Sequence, residues 1–223
     1  MSSFFSPENK FLNALGKVFD LLVLSLMWLV LCLPIITIGP ASTAFYYTVV
    51  KVIRRDRSYL FKEFFRSFKL NFKQGVIVTL IYVVLAVLMV IDIDFAIQLT
   101  QDGSKIGSIL YGVFIAEAVF VIFTLVYIFP VLSRFTVTIK HLFKWSFFMS
   151  VKHLGWTVLL AVLFVGTAVM MYMSFLFLPP LCIILPGIYT LVASFMIEKV
   201  FKRYMPKEEE SDEESGVDRW YNE

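Results

Sequence analysis

Residues that do chemistry are scarce in this chain. Cys32 and Cys182 are the only cysteines among 223 residues, and His141 and His153 the only histidines. Both cysteines lie inside apolar runs, away from other ligand types, which excludes a zinc motif. They read as free buried thiols acting as small hydrophobes, not as a disulfide. The histidines stand twelve positions apart with no acid between them. That spacing fits neither a metal site nor a nucleophile, base and orienter, so they read as surface or interfacial residues. No glycine-rich phosphate loop is present, and no nucleophiles, acid pairs or metal ligands cluster. The expectation is therefore not an enzyme: no catalytic, cofactor-binding or metal-ligating residue is assigned, and no cofactor. Apolar residues also do not alternate with polar ones, which sets aside a transmembrane barrel.

Acids are scarce everywhere except at the end. Residues 207–223 hold eight acids and two bases, so the first 206 residues carry 18 bases against 9 acids. The bases flank apolar runs instead of forming a patch of their own, which argues against nucleic-acid binding and for a membrane protein whose basic connections stay on one side. The acidic segment 204–223 reads as a disordered tail by composition.

What is abundant is hydrophobic surface. The chain is 59% hydrophobic, contains 24 phenylalanines and has a mean hydropathy of +0.82. Continuous apolar runs of about 20 residues each match the thickness of a bilayer. The fold class that follows is an all-α, polytopic transmembrane helix bundle of about five spans, near 18–36, 75–91, 107–132, 156–178 and 181–200, in one domain covering 1–203. Small residues at Ala41-Ser42-Thr43-Ala44 imitate a signal-peptidase site, but the apolar run before them is longer than a secretory core, so it reads as an uncleaved span.

Three shorter segments, near 41–53, 57–73 and 140–153, read as interfacial helices. The middle one is the strongest. Phe61, Phe64, Phe65, Phe68 and Phe72 follow the spacing of one helical face, while Arg57, Lys62, Arg66, Lys69 and Lys73 fall mostly elsewhere on the same helix. Rings in the acyl boundary and cations against anionic headgroups make a face for lipid or for a partner. In the segment before it, Phe45-Tyr46-Tyr47 reads as an aromatic belt near the headgroups.

Loop charges set the orientation. Residues 51–73 hold eight bases, 134–152 four and 199–203 three, all on one side of a five-span arrangement. The positive-inside rule puts that side in the cytoplasm, with the N-terminus outside and the C-terminus inside a bacterial cell membrane. The first span has a nearly neutral flank, so a re-entrant hairpin over 18–53 stands as the alternative. A weak internal repeat relates Pro40…Lys51…Phe64-Phe65-Arg66-Ser67-Phe68-Lys69 to Pro130…Lys140…Phe147-Phe148-Met149-Ser150-Val151-Lys152. Parallel repeats of this sort occur in transporters.

Glu117 is the sharpest single residue. It lies well inside the third span, between Phe114-Ile115-Ala116 and Ala118-Val119-Phe120. A carboxyl at that depth costs about 3 kcal/mol or more, so it is expected to face the bundle interior or a wet cavity. Gly39-Pro40 and Pro186-Gly187 interrupt helices near opposite ends of the bundle and are candidates for lining a site, although a glycine beside a proline more often simply ends a helix. Arg134 and Glu198 both lie at the inner boundary and are expected to pair.

The run Leu33-Pro34-Ile35-Ile36-Thr37-Ile38-Gly39-Pro40-Ala41-Ser42-Thr43-Ala44, with Tyr46-Tyr47…Lys51 and the basic phenylalanine-rich segment, resembles the YesL family of bacterial integral membrane proteins. So does Phe129-Pro130-Val131-Leu132-Ser133-Arg134-Phe135, and the likeness extends from Gly16 to Arg203. The resemblance implies a small multi-pass protein of unassigned activity, associated mainly with carbohydrate uptake and degradation, and supplies no catalytic residues. The reading is thus a non-enzymatic accessory component of carbohydrate uptake or its regulation. Its partners would be membrane lipid, a membrane protein such as a carbohydrate ABC transporter, or further copies of the chain. The runner-up is a small secondary transporter with Glu117 lining its path.

Overall fold

A computed structural model describes residues 10–55, 59–101, 103–178 and 180–204, with side chains from Leu15 onward. Arg57 and all of the acidic tail after Tyr204 lie outside the described residues. The chain forms α1 (Lys10–Cys32), α2 (Ile38–Thr48), α3 (Leu60–Leu70), α4 (Phe72–Gln101), α5 (Lys105–Arg134), α6 (Ile139–Lys152), α7 (Leu154–Phe177) and α8 (Leu181–Phe201), with no strand among the described residues. Five of them, α1, α4, α5, α7 and α8, are long and apolar enough to cross a membrane. The all-helical multi-pass fold expected from the sequence is therefore present.

The helices overrun the expected spans. The second, expected over 75–91, continues to Gln101, past Asp92 and Asp94. Backbone hydrogen bonds inside a helix are indifferent to where the bilayer stops, and Gln98 Nε2 donates to Asp94 Oδ2 at 2.7 Å across one exposed turn. Thirty residues make a rod of about 45 Å, half as long again as the ~30 Å hydrocarbon layer.

The segment expected to be interfacial, 41–53, is instead the centre of the molecule. A 3-10 turn (Ile35–Thr37) leads into α2, which continues as a wider π-helical segment (Val49–Arg54). Every residue from Gly39 to Ile53 except Ser42 is buried. Phe45, Tyr46 and Tyr47 are therefore not a headgroup belt. Phe45 stacks on Trp28 of α1, with ring centroids 5.7 Å apart, and Trp28 Nε1 donates to Ser42 Oγ at 3.1 Å. The physical reason is size and satisfaction. Gly39, Ala41 and Ala44 let neighbouring helices approach closely. Thr43 and Thr48 return their hydroxyls to the carbonyls of Gly39 and Ala44, so burial strands no polar group.

Two hydrophobic clusters meet on α2. Leu24 of α1, Phe45 and Val49 of α2 and Phe64 of α3 form one. Tyr46 and Val50 of α2 join Tyr127 and Val131 of α5, Leu142 and Met149 of α6, and Ile197 and Phe201 of α8 in the other. Both lie toward the basic end of the bundle. The opposite halves of the spans pack far less: Ile106, Ile109 and Tyr111 of α5, and Phe175, Leu176 and Phe177 of α7, are exposed.

The glycine–proline pairs are packing devices. Gly39 begins α2 against Gly75 of α4, and its N–H donates to Thr79 Oγ1 at 2.9 Å. A Cβ on Gly39 would collide with Thr79 and with the Gly75 carbonyl, and one on Gly75 would come within 2.7 Å of the Pro40 nitrogen. Pro186 lies inside α8, and a Cβ on neighbouring Gly187 would reach Ser25 Oγ at 2.6 Å and Leu21 Cγ at 2.7 Å. The proposed internal repeat is shallow. Ser67 and Ser150 are both buried, but Phe64 is buried where Phe147 is exposed, and nothing after Pro130 corresponds to α2.

Gly75→Val is expected to lower stability by about 1–3 kcal/mol or more, through overpacking of α2 on α4. Gly112→Val, at a position with nothing near its added Cβ, should be close to neutral. Thermal unfolding in detergent, followed by tryptophan fluorescence, checks the pair.

Candidate functional site: a buried charge network at the basic end

Charged side chains converge where α2 ends. Lys51, in the π-helical segment, donates from Nζ to Glu63 Oε2 of α3 at 3.3 Å and to the Tyr47 hydroxyl at 3.1 Å. Tyr47 Oη also reaches Glu63 Oε2, at 3.4 Å. Lys51 is only 6% exposed and Glu63 only 3%. Their charges cancel in a place that would reject either alone.

A second group is built on Glu198 of α8, 4% exposed. Arg134, at the end of α5, donates from Nη2 to Glu198 Oε2 at 2.8 Å, as the positions of the two residues at the inner boundary suggested. Arg55 reaches the same oxygen at 3.4 Å, and the Tyr46 hydroxyl donates to Oε1 at 3.1 Å. Tyr46 is held protonated: burial raises its pKa well above the ordinary tyrosine range, with the Glu198 charge adding to the effect. Arg54 donates from Nη1 to the Ser194 carbonyl at 2.9 Å. One carboxylate thereby ties together the end of α2, the end of α5 and the last turns of α8. The π-helical turn, which fits an extra residue into the helix, is where Lys51 and Arg54 leave α2 in these two directions.

α3 has three sides. At about 100° per residue, Leu60, Glu63, Phe64, Ser67 and Asn71 share one, and they are buried or half-buried. Phe61, Phe65, Phe68 and Phe72 share the next, with Phe61, Phe65 and Phe72 exposed. Lys62, Arg66, Lys69 and Lys73 share the third, all but the half-buried Arg66 exposed. Of the expected phenylalanine face, Phe64 has been drawn inward against Phe45 and Val49. The remaining rings and cations form the outward surface.

Glu117 is not inside. It is exposed on the outward side of α5, whose outer half leans only on α4, and no hydrogen bond or ion pair reaches it among the described residues. The expectation that it faces the bundle interior fails because α7 does not close over that part of α5. Gly39, Pro40, Pro186 and Gly187 line helix contacts and do not converge with Glu117 or with one another. A cleft of about 290 Å³ lies at the far end of α4 and α5, lined by the uncharged Ile97, Thr100, Gln101, Ser108 and Tyr111. No three His, Cys, Asp or Glu side chains come together among the described residues. Cys32 and Cys182 are free, and Cys182 Sγ contacts the Met171 carbonyl at 3.4 Å.

Residues 21–93, which run from α1 through α2 and α3 into α4, match the family model described as "Protein of unknown function, DUF624". The chain is also 29% identical over 165 residues to "Uncharacterized protein YesL" of Bacillus subtilis (strain 168), covering 71% of this chain and 76% of that protein. The chain is similar to YesL. The family model thus covers the buried α2 and the Lys51–Glu63 pair, while Arg134 and Glu198 fall beyond it. No solved structure matches significantly.

Tyr46, Glu63 and Glu198 were not singled out as a site by sequence. The available signal was a carboxylate or lysine flanked by small and apolar residues just inside a span boundary. Glu198→Gln is expected to cost about 3–5 kcal/mol, because it leaves Arg134 buried without a counter-charge. Tyr46→Phe removes one hydrogen bond to a charged group and should cost about 1.5–3 kcal/mol. The ranking is checked by thermal unfolding of both variants in the same detergent.

The end of α6 carries a pH-dependent contact. His153 Nε2 lies 3.0 Å from the Tyr204 hydroxyl. Burial pushes its pKa below the usual 6.5, and Arg203 and Lys152 push in the same direction. The folded chain therefore binds this proton less readily than the unfolded one. Stability contributed here is complete above about pH 6.5 and falls as pH drops through the folded-state value. An NMR titration of the His153 ring should give a midpoint below 6.5, and Arg203→Gln should raise it; a midpoint above 6.5 in the native chain contradicts the geometry.

Proposed function

We propose that the chain is a non-enzymatic accessory protein of the bacterial cell membrane. Its N-terminus is outside and its C-terminus is in the cytoplasm, where α3 docks it to a membrane partner. The observation that carries this reading is the division of α3. One side is fixed in the bundle through Glu63, while the exposed Phe61, Phe65 and Phe72 and the exposed Lys62, Lys69 and Lys73 present two adjoining outward surfaces of different chemistry. Rings of that kind enter the acyl boundary, and cations beside them meet acidic headgroups or an acidic partner surface. The charge asymmetry of the connections supports the orientation. The resemblance to YesL-type proteins supports the association with carbohydrate uptake or its regulation, with a carbohydrate ABC transporter as the partner.

The transporter reading rested on Glu117 lining a path within the bundle. Its outward position on α5 favours the accessory reading, since a path past Glu117 would have to run between chains.

The test is affinity purification of the detergent-solubilised full chain from cells grown on complex polysaccharide, with mass spectrometry of what accompanies it. A carbohydrate permease or its solute-binding protein is expected with the native chain. The triple variant Lys62→Glu/Lys69→Glu/Lys73→Glu should lose it while remaining monodisperse. Recovery of a homo-oligomer without partner would overturn the accessory reading and direct attention to solute flux in liposomes.

A further inference from the structure

Three guanidinium groups surround a single carboxylate at the basic end. Arg134 and Arg55 both reach Glu198 Oε2, and Arg54 acts on the same carboxylate through space. Lys51 and Glu63 cancel each other separately. Three positive charges against one negative leave an excess of two in a partly desolvated corner, where charges are felt more strongly than in water.

Arg54 is the outermost of the three in a specific sense. Its guanidinium lies 4.2 Å over the ring of Phe195, and Phe195 is 58% exposed on the outer side of α8. Among the described residues, the hydrogen bonds recorded for Arg54 both run from Nη1 to Ser194, one to the carbonyl at 2.9 Å and one to Oγ at 3.5 Å. Nε and Nη2 keep their donors. Glu198 does not take them, being held by Arg134, Arg55 and Tyr46. Burial lowers the pKa of Arg54, and the neighbouring Arg55 and Arg134 charges add to this, while Glu198 and Tyr46 oppose it. A further anion beside Arg54 would relieve the imbalance.

The level in the bilayer selects the anion. Phe195 lies six residues before the end of α8 at Phe201, about 9 Å along the helix at 1.5 Å per residue. That is the boundary between acyl chains and headgroups. A planar guanidinium with two free donor directions matches two oxygens of a phosphate, and the exposed Phe195 ring offers a surface to an acyl chain beside it.

We propose that Arg54, supported by the excess positive charge around Glu198 and flanked by Phe195, is a binding site for a phosphate group, carried by an anionic lipid headgroup or free in solution. The site is separate from the lysines of α3 and does not depend on the docking reading above.

The probes are phosphatidylglycerol, phosphatidylcholine and inorganic phosphate, added to the full chain in a neutral detergent, with thermal unfolding and native mass spectrometry as readouts. Phosphatidylglycerol is expected to raise the melting temperature and to remain bound as a one-to-one adduct. Arg54→Gln should weaken that binding by about tenfold, the loss of one charge-assisted hydrogen-bonded contact. Arg54→Lys, which keeps the charge and loses the fork, should fall between. Lys62→Gln/Lys69→Gln/Lys73→Gln should retain the adduct, which separates this site from general attraction by α3. A shift with phosphatidylglycerol alone identifies the lipid headgroup as the source, and an equal shift with inorganic phosphate identifies free phosphate. Equal stabilisation by phosphatidylcholine, no stabilisation by any probe, or an unchanged adduct in a monodisperse Arg54→Gln protein would overturn the proposal.

Discussion

Glu198 is the constraint on which the basic end of this bundle depends. A carboxylate with so little exposure persists as a charge only if cations are held close to it, and the cations that reach it come from different elements: Arg55 from the end of the π-helical segment and Arg134 from the end of α5. Tyr46 adds a neutral donor from the middle of α2. The geometry that satisfies the charge therefore also fixes where α2, α5 and α8 end relative to one another. Such a network contributes more to choosing one arrangement than to net stability, since desolvation offsets much of its attraction. The stability comes from the two apolar clusters on either side of α2, and the network decides how those clusters are brought into register.

α2 is also where sequence and structure part company. Its residues are small, hydroxylated and aromatic, a composition that suits a headgroup belt as well as a buried wedge. Hydropathy does not separate the two. The deciding facts are tertiary: Gly39 fitting against Gly75, Ser42 accepting from Trp28, and Lys51 meeting Glu63 across the turn into α3. Each joins residues whose separation in sequence gives no periodic signal. The five long apolar helices, by contrast, were legible throughout, because a span announces itself by length and continuity alone. The amphipathic character of α3 was legible too, although the inward turn of Phe64 depended on the cavity that α1 and α2 leave for it.

The two acids on the spanning helices make the same point from opposite sides. Glu117 stands out in the sequence because its neighbours are apolar and it lies deep within a run, yet it faces outward with no partner among the described residues. Glu198 looks like an ordinary boundary acid and is nearly sealed. Depth along a helix can be counted from sequence, but which way a side chain faces within a bundle cannot, when the helix is apolar on every side. α5 and α8 are both of that kind, and their apolar faces give no preferred direction.

Packing along the spans is unequal, and this bears on what the chain does alone and what it needs from its surroundings. In the best-packed span, α8, 39% of the apolar window is buried, while in α5 only 6% is. The basic end is thus held by protein contacts, while the far halves of α4, α5 and α7 rely on whatever surrounds them. Lipid serves for Ile109, Val113 and Phe120, whose exposure in a bilayer costs nothing. It does not serve for Glu117. Counting at 1.5 Å per residue, that carboxyl lies about 18 Å along α5 from Lys105, close to the middle of the hydrocarbon layer, where an acid costs about 3 kcal/mol. The expense falls away only if the carboxyl is protonated and bonded, wetted, or met by a polar group from another chain. The same chain that closes its charges completely at one end therefore leaves one unanswered at the level where the bilayer is least able to answer it.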